Sequence, residues 1–500
     1  MIFSLLLGIL TTWILFSWGD LLNQWLPASD SPATAFLTRY LMGLIGLCFF
    51  ANALSLFIGL NQPILLLILC MPILHQLPNR ATRHRLTETF LPNSRPLQLL
   101  MLVCVVLLLA MHAWEIKHPD SLSYQNELIR YALRAGHPTG LVQIQNPFGY
   151  GGAWYALSAL FSFHFLTGQL MTFVNLSFIG VIILWLIKQL DAAATNKNLF
   201  ALTGYLLLLG IGFYEYSFFR LALTSAAADT PAALLGMASL LYFLHEKRRG
   251  WLLMAGCVSA VTIKLSLAPI LLLPVWHLWK AAHRRQVLSM AAIGILIAVP
   301  FLVKNIRSTG YLLYPVPNTQ ILSADYTPSK SAVQAEADYI KAYARKENTV
   351  RNQDGTWSTL SPSMQQWMPP WWKQQLPSEK AMMILFFIGL SGALIYRKKL
   401  QLPQLLYWQF LITVWVGCLF WLYQAPAIRF GSAFLLAPWL LYLYPLKKED
   451  RPPSNLVPVH DWKIRLFEIG PLLTALAYLG YRLYYFMDVS ALWWPKGPVF

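Results

Sequence analysis

Leu97-Gln-Leu-Leu-Met-Leu-Val-Cys-Val-Val-Leu-Leu-Leu-Ala-Met-His-Ala-Trp-Glu115 carries no charged side chain before its last residue. As a helix rising about 1.5 Å per residue, it is long enough to cross the roughly 30 Å hydrocarbon core of a bilayer. Similar apolar runs recur from the first residues almost to the C-terminus. Over 500 residues, 57% are hydrophobic and only 12% are charged, which is too apolar and too long for a soluble core. The expectation is an all-α, polytopic integral membrane protein with the bilayer as its main solvent.

Met1 to Trp18 lacks a basic leader and a small-residue cleavage site before Asp20, so it reads as a retained span and not as a removed signal peptide. Cys48, Cys70, Cys104, Cys257 and Cys418 all fall inside apolar runs, where a thiol behaves as a small hydrophobe, and their spacing suggests neither disulfides nor a metal site. The formal charge of +17 raises nucleic acid as a partner, but the basic residues lie in short clusters between apolar runs. These are Arg80, Arg83, Arg85 and Arg95; Lys247 to Arg249; Lys280, Arg284 and Arg285; Arg397 to Lys399; and Lys447, Lys448 and Arg451. No nucleic-acid partner is expected. The positive-inside rule instead places all five clusters in the cytoplasm.

That placement leaves one consistent path of about 14 spans. They lie near 2–18, 36–58, 62–78, 97–115, 170–189, 199–216, 229–245, 250–265, 266–280, 287–303, 381–397, 404–423, 431–446 and 463–483, with both termini outside. Residues 1–96 form extra N-terminal transmembrane helices, 97–446 a core, and 447–500 a cytoplasmic loop, a last span and a short outer tail. Two long loops, 116–169 and 304–380, then fall on the extracytoplasmic side. The first is expected to be helical through Tyr124, Leu128, Tyr131 and Ala132 and to break at Gly136 and Pro138. It resumes as an interfacial helix from Trp154 to Phe165. The second holds a helix near Ser331 to Lys346, then Trp357, Trp367, Trp371 and Trp372, expected to anchor the loop at the headgroup level or to wall a substrate groove.

Ionisable groups at a membrane surface are costly and so informative. Away from the cytoplasmic clusters they comprise Asp120, Arg220, Asp229, Lys264, Lys304, Arg307 and Arg429. Asp120 after Pro119, and Asp229 before Pro231, can each be read as a helix N-cap or as a working carboxylate. Lys264, Lys304 and Arg307 can snorkel to headgroups or bind a substrate phosphate. Arg429, in Ala425-Pro-Ala-Ile-Arg-Phe-Gly431, has no other charge nearby in sequence to explain it. Two acids and several bases on one face suit transfer of a sugar from a phospholipid carrier. One carboxylate takes the proton of the attacking hydroxyl, and cations stabilise the departing lipid phosphate. A divalent cation, Mg or Mn, held by an acid can share that task.

His118-Pro-Asp-Ser-Leu-Ser-Tyr-Gln125 through Gly136-His-Pro138 resembles the first extracytoplasmic loop of GT-C glycosyltransferases, such as the protein O-mannosyltransferases and the lipid A aminoarabinose transferases. Pro147 to Gly168 is similar to their juxtamembrane helix, Ser225-Ala-Ala-Ala-Asp-Thr-Pro231 to their second acidic loop, and Val261-Thr-Ile-Lys264 to the turn that follows. Asn305-Ile-Arg-Ser-Thr-Gly-Tyr-Leu-Leu-Tyr-Pro315 and Ala425 to Gly431 look like strings of uncharacterised bacterial members. The resemblance covers about residues 97 to 435.

It implies a GT-C-like core at the plasma membrane that uses a polyprenyl-phosphate-linked sugar donor and a saccharide, lipid or protein acceptor, in cell-surface glycan synthesis. It also implies that Asp120 is the catalytic base or acceptor-orienting carboxylate, with Asp229 as its partner. Lys264, Arg307 and Arg429 would hold the phosphate, and Tyr124, Asn146 and Tyr314 would bind substrate. Two departures stand out. Many relatives carry a second acid beside the first-loop aspartate, where this chain has Ser121, which weakens direct metal binding. The helices before residue 97 are additional to the GT-C core. A transporter or flippase for a lipid-linked saccharide, or a polysaccharide polymerase or ligase, is the competing expectation. A transporter should place its charges near mid-span, whereas these gather at span ends.

Overall fold

The computed structural model describes residues 2–25, 32–76, 91–113, 118–196, 198–214, 216–245, 250–279, 283–347, 361, 363–400, 402–443 and 469–477. Among them there is no strand, only an isolated antiparallel bridge between Tyr311 and Gln320. The helices used below are α1 (Ile2–Trp25), α2 (Pro32–Ser55), α3 (Pro63–Gln76), α4 (Arg95–His112), α5 (Asn126–Arg134), α6 (Ala153–Leu160), α7 (Phe173–Thr195), α8 (Leu199–Tyr214) and α9 (Asp229–His245). They continue as α10 (Gly250–Ile263), α11 (Leu272–Trp279), α12 (Arg284–Thr309), α13 (Lys330–Ala344), α14 (Met364–Gln374), α15 (Pro377–Ile395), α16 (Gln404–Gln424) and α17 (Ile428–Leu436).

Among the described residues seven helices, α1, α2, α4, α7, α12, α15 and α16, are long and apolar enough to cross a membrane, and α3 and α8 to α10, with Leu265–Trp279 and Ile428–Leu443, are shorter apolar helices. All coincide with runs read as spans from sequence. A helix apolar on every side is satisfied only by lipid or by other helices. α12 exposes Leu288, Ile295, Leu296, Val299 and Val303, a surface compatible with lipid. The last expected span is helical over 469–477. Most of 447–500, Trp357, and the clusters Arg80 to Arg85, Lys247 to Arg249, Lys280 and Lys447 to Arg451 lie outside the described residues.

The N-terminal helices pack into the rest. α1 lies against α2, α3 and α7, and α2 against α6, α10 and α12. α1 and α2 meet at Gly19 and Gly43, where an added Cβ would land on the carbonyl oxygens of Arg39 and Leu15. Asp20 and Arg39 pair across the same contact at 3.0 Å.

Three expectations need correction. The expected interfacial helix is α6, buried along its whole length against α2, α5, α7 and α10. The reason is in Ala-Trp-Tyr-Ala-Leu-Ser-Ala-Leu, which offers no polar face, whereas a helix lying in a headgroup layer needs one. Trp367 and Trp371 are also buried and do not sit at a lipid surface. Trp371 Nε1 donates to the carbonyls of Ala344 (3.2 Å) and Pro426 (3.1 Å), and its ring packs on Trp421. Finally, α12 runs to Thr309 and is closed by Gly310 at φ +80°, so Lys304 and Arg307 belong to a helix and the second loop starts later than residue 304.

Candidate functional site

Four chain segments bring charged side chains to one place. Asp120 precedes a π-helical turn, Ser121–Gln125, that leads into α5. Ser121 Oγ donates to Gln125 (2.6 Å) and accepts the N–H of Ala226 (3.2 Å), which ties the first acidic loop to the second. That second loop is held from α7 by Asn175, whose amide donates to the carbonyls of Ala222 (2.7 Å) and Ser225 (3.3 Å). It ends at Asp229, the first residue of α9. Lys264 occupies an extended position between α10 and the 3-10 turn Leu265–Leu271. Arg429 is the second residue of α17, whose entry is fixed by Trp421 Nε1 donating to Ala427 O (2.7 Å) and by Trp371 on Pro426.

Arg429 is the hub. Its Nη2 donates to Asp120 Oδ2 at 3.1 Å, its Nη1 to His118 Nε2 at 3.1 Å, and Nη1 lies 3.7 Å from Asp229 Oδ2. Asp229 Oδ1 pairs with Lys264 Nζ, which also sits 3.8 Å from the Phe430 ring centre. Arg429 lies at the positive end of the α17 dipole, an unfavourable place for a cation that the two carboxylates offset. Asp229 gains from the same effect at the start of α9. Neither acid is simply a helix cap: Asp120 makes no capping bond, and the Asp229 carboxylate pairs with Lys264 and Arg429. Side-chain exposure runs from 6% at Asp229 and 13% at Arg429 to 24% at Lys264 and 29% at Asp120, so Asp120 is the acid that a solute meets.

His118 is held near neutrality. Burial, Arg429 and Lys264 outweigh Asp120 and lower its pKa to about 4. The hydrogen bond from Arg429 makes Nε2 the acceptor. Tyr124 is pushed up to about 12 by burial and by Asp120, which places its hydroxyl in the field of that acid.

A second polar group lies beside the first. Buried Glu336 on α13 accepts from Asn146 Nδ2 (2.7 Å) and from the Tyr150 hydroxyl. Tyr150 stacks at a tilt on Tyr314 and edge-on against Tyr124, with ring centres 6.0 and 5.9 Å apart, so Tyr124 joins the two groups. Tyr314 packs with Tyr311, Val142 and Val333, and burial together with Glu336 raises its pKa.

Of the residues expected to act together, Asp120, Asp229, Lys264 and Arg429 converge and Tyr124 adjoins them. Asn146 and Tyr314 belong to the Glu336 group. Arg307 is not among the converging side chains, and its Nη1 donates to Leu56 O at 2.5 Å beyond the end of α2. Lys304 donates to Asn52 Oδ1 (3.0 Å) and Gly152 O (3.1 Å). Sequence reading missed His118, Tyr150, Glu336, Tyr339 and Tyr343. The one available signal was that Glu336 is an acid on the expected outer-loop helix.

Asp120 and Asp229 are the carboxylates that would hold a divalent cation. Both carboxylates are already paired with a guanidinium or an ammonium, which would lie within reach of any metal they held. Among the described residues no group of three or more His, Cys, Asp or Glu could hold a metal ion.

Fold and site thus define a helical protein compatible with a membrane, with a balanced cluster of acids and bases at helix ends. The chain belongs to the family described as "Domain of unknown function (DUF8201)", whose model matches residues 1–436 and so takes in the first three helices and all four charged segments. No curated protein and no solved structure matches it.

Proposed function

We propose that the protein is a multi-pass plasma-membrane glycosyltransferase that moves a sugar from a polyprenyl-phosphate donor to an acceptor on the extracytoplasmic face. The observation that carries this reading is the convergence of Asp120, Asp229, Lys264 and Arg429 from four distant segments. A GT-C-like core and about 14 spans, the shorter apolar helices included, belong to the same proposal.

The acceptor hydroxyl attacks the anomeric carbon, its proton passes to Asp120, and the bond from that carbon to the phosphate oxygen breaks, leaving its electron pair on the lipid phosphate. Arg429 offers a planar fork to two phosphate oxygens and Lys264 a point charge, so both oppose the growing negative charge. The donor competes with the carboxylates for these cations, and as Arg429 turns to phosphate, the Asp120 carboxylate is freed to accept from the acceptor hydroxyl. Asp229, the more buried acid, keeps Lys264 and Arg429 in position.

The test is release of polyprenyl phosphate from a panel of short-chain polyprenyl-phosphate sugars by purified protein. Asp120→Asn is expected to lose about 10² to 10⁴-fold, the usual contribution of a general base. Arg429→Lys should be impaired and Arg429→Ala more so. Full turnover by Arg429→Ala, or more than roughly a tenth of activity in Asp120→Asn, contradicts the assignment.

A further inference from the structure

α13 crosses the charged cluster like a strap fastened at both ends. Its first half is held by fully buried Val333 against Val142, Tyr311 and Tyr314, and by Glu336 on Asn146 and Tyr150. Its last turn is held by buried Ala342 and Ala344, by Trp371 on the Ala344 carbonyl, and by Arg345 stacked 4.6 Å from the Trp367 ring centre. Tyr339 lies between these points and Tyr343 in the last turn itself, one helical turn apart and therefore on one face. The Tyr343 ring centre is 5.7 Å from Arg429 Cζ, and the residue is 52% exposed. Tyr339 is half-buried, and its hydroxyl is raised in pKa by burial and, to a smaller extent, by Glu336, Tyr343 and Asp120. On the opposite side the helix shows Lys330, Ser331 and Gln334 to solvent.

We infer that the Tyr339–Tyr343 face of α13, next to Asp120 and Arg429, binds a saccharide acceptor that arrives from the aqueous side. The inference rests on the transferase reading for the word acceptor. A sugar ring has an apolar C–H face and a rim of hydroxyls. Aromatic rings cover the first, while phenol, guanidinium and carboxylate groups satisfy the second. A lipid acceptor would call for an apolar rim around the two tyrosines, where the structure has charge. The strap delivers one acceptor hydroxyl to Asp120, and Tyr339 and Tyr343 orient the ring without entering the bond changes.

The experiment uses full-length protein in phosphatidylglycerol–phosphatidylethanolamine nanodiscs and a panel of methyl glycosides, with binding read by saturation-transfer NMR. At least one glycoside is expected to bind. Tyr343→Ala should weaken that binding about tenfold or more and Tyr343→Phe should preserve it, because only the ring is needed. Affinity for a short-chain polyprenyl phosphate, measured on the same variants, should change less than glycoside affinity, since Tyr343 meets Arg429 only through its ring face and Lys264 lies on another element. The inference is overturned if no glycoside binds wild-type protein, or if Tyr343→Ala and Tyr339→Ala leave glycoside binding unchanged. It is equally overturned if these variants weaken polyprenyl phosphate instead. Ring-dependent glycoside binding in a protein that releases no polyprenyl phosphate keeps the strap and removes the transferase reading. Turnover with glycoside binding indifferent to both tyrosines keeps the transferase and removes the strap.

Discussion

His118 occupies a place where an imidazole does not readily take a proton, with Arg429 donating to it and Lys264 close by. The unfolded chain protonates it near pH 6.5 and the folded chain only near about 4, so between these values the unfolded state binds more protons. Stability therefore falls as pH is lowered through that window. The thermal midpoint of His118→Gln in detergent should decline less steeply than that of wild type across it, and equal slopes would mean that the imidazole is not held neutral by the fold. At this scale the two acids, Lys264 and Arg429 were legible, because a charge at the end of an apolar run needs a reason. Their pairing was not, since Arg429 and Asp120 are 309 positions apart and nothing local connects them. Arg307 could not be told from them by its sequence position. A guanidinium near a span end can meet a phosphate or an orphan carbonyl, and this one meets Leu56 O, supplied by a distant helix end.

Helix locations were largely legible, since uninterrupted apolar runs leave few alternatives, but their surroundings were not. Hydrophobicity states that a segment avoids water without saying whether lipid or protein replaces it, which is why α6, Trp367 and Trp371 were placed too far out, while Trp372 is exposed. The α1–α2 contact offers a sharper test of packing. Alanine at Gly43 would drive a methyl group onto the Leu15 carbonyl, a backbone atom that cannot swing aside. Small residues that let helices approach closely are the usual currency of membrane packing. Gly43→Ala is expected to cost about 1–3 kcal/mol or to part the two helices, the range for overpacking. Gly210→Ala on α8, where an added Cβ meets nothing within 4 Å, should be neutral or slightly stabilising through helix propensity. Thermal unfolding of the two variants in one detergent makes the comparison, and equal midpoints would mean that α1 and α2 are not in close contact.

For the molecule as a whole, orientation is the expectation that charge patterning carried and that helix geometry alone does not supply. Arg284 opens α12 and Gln334 lies beyond its end on α13, and both are exposed. In a background without the five native cysteines, a membrane-impermeant maleimide should label Gln334→Cys on intact cells and Arg284→Cys only after permeabilisation. The reverse pattern would invert the protein, and labelling of both from outside would remove α12 as a span. Enclosure of α6 carries a consequence for how such a chain comes to be built. Two of its walls, α7 and α10, are made after it, and α10 begins at Gly250, 90 residues beyond Leu160. During synthesis α6 thus leaves the ribosome before its final surroundings exist. Assembly finishes when later helices close around a segment that has no side suited to water, and Lys264, the residue directly after α10, reaches its carboxylate partner as part of that same late event.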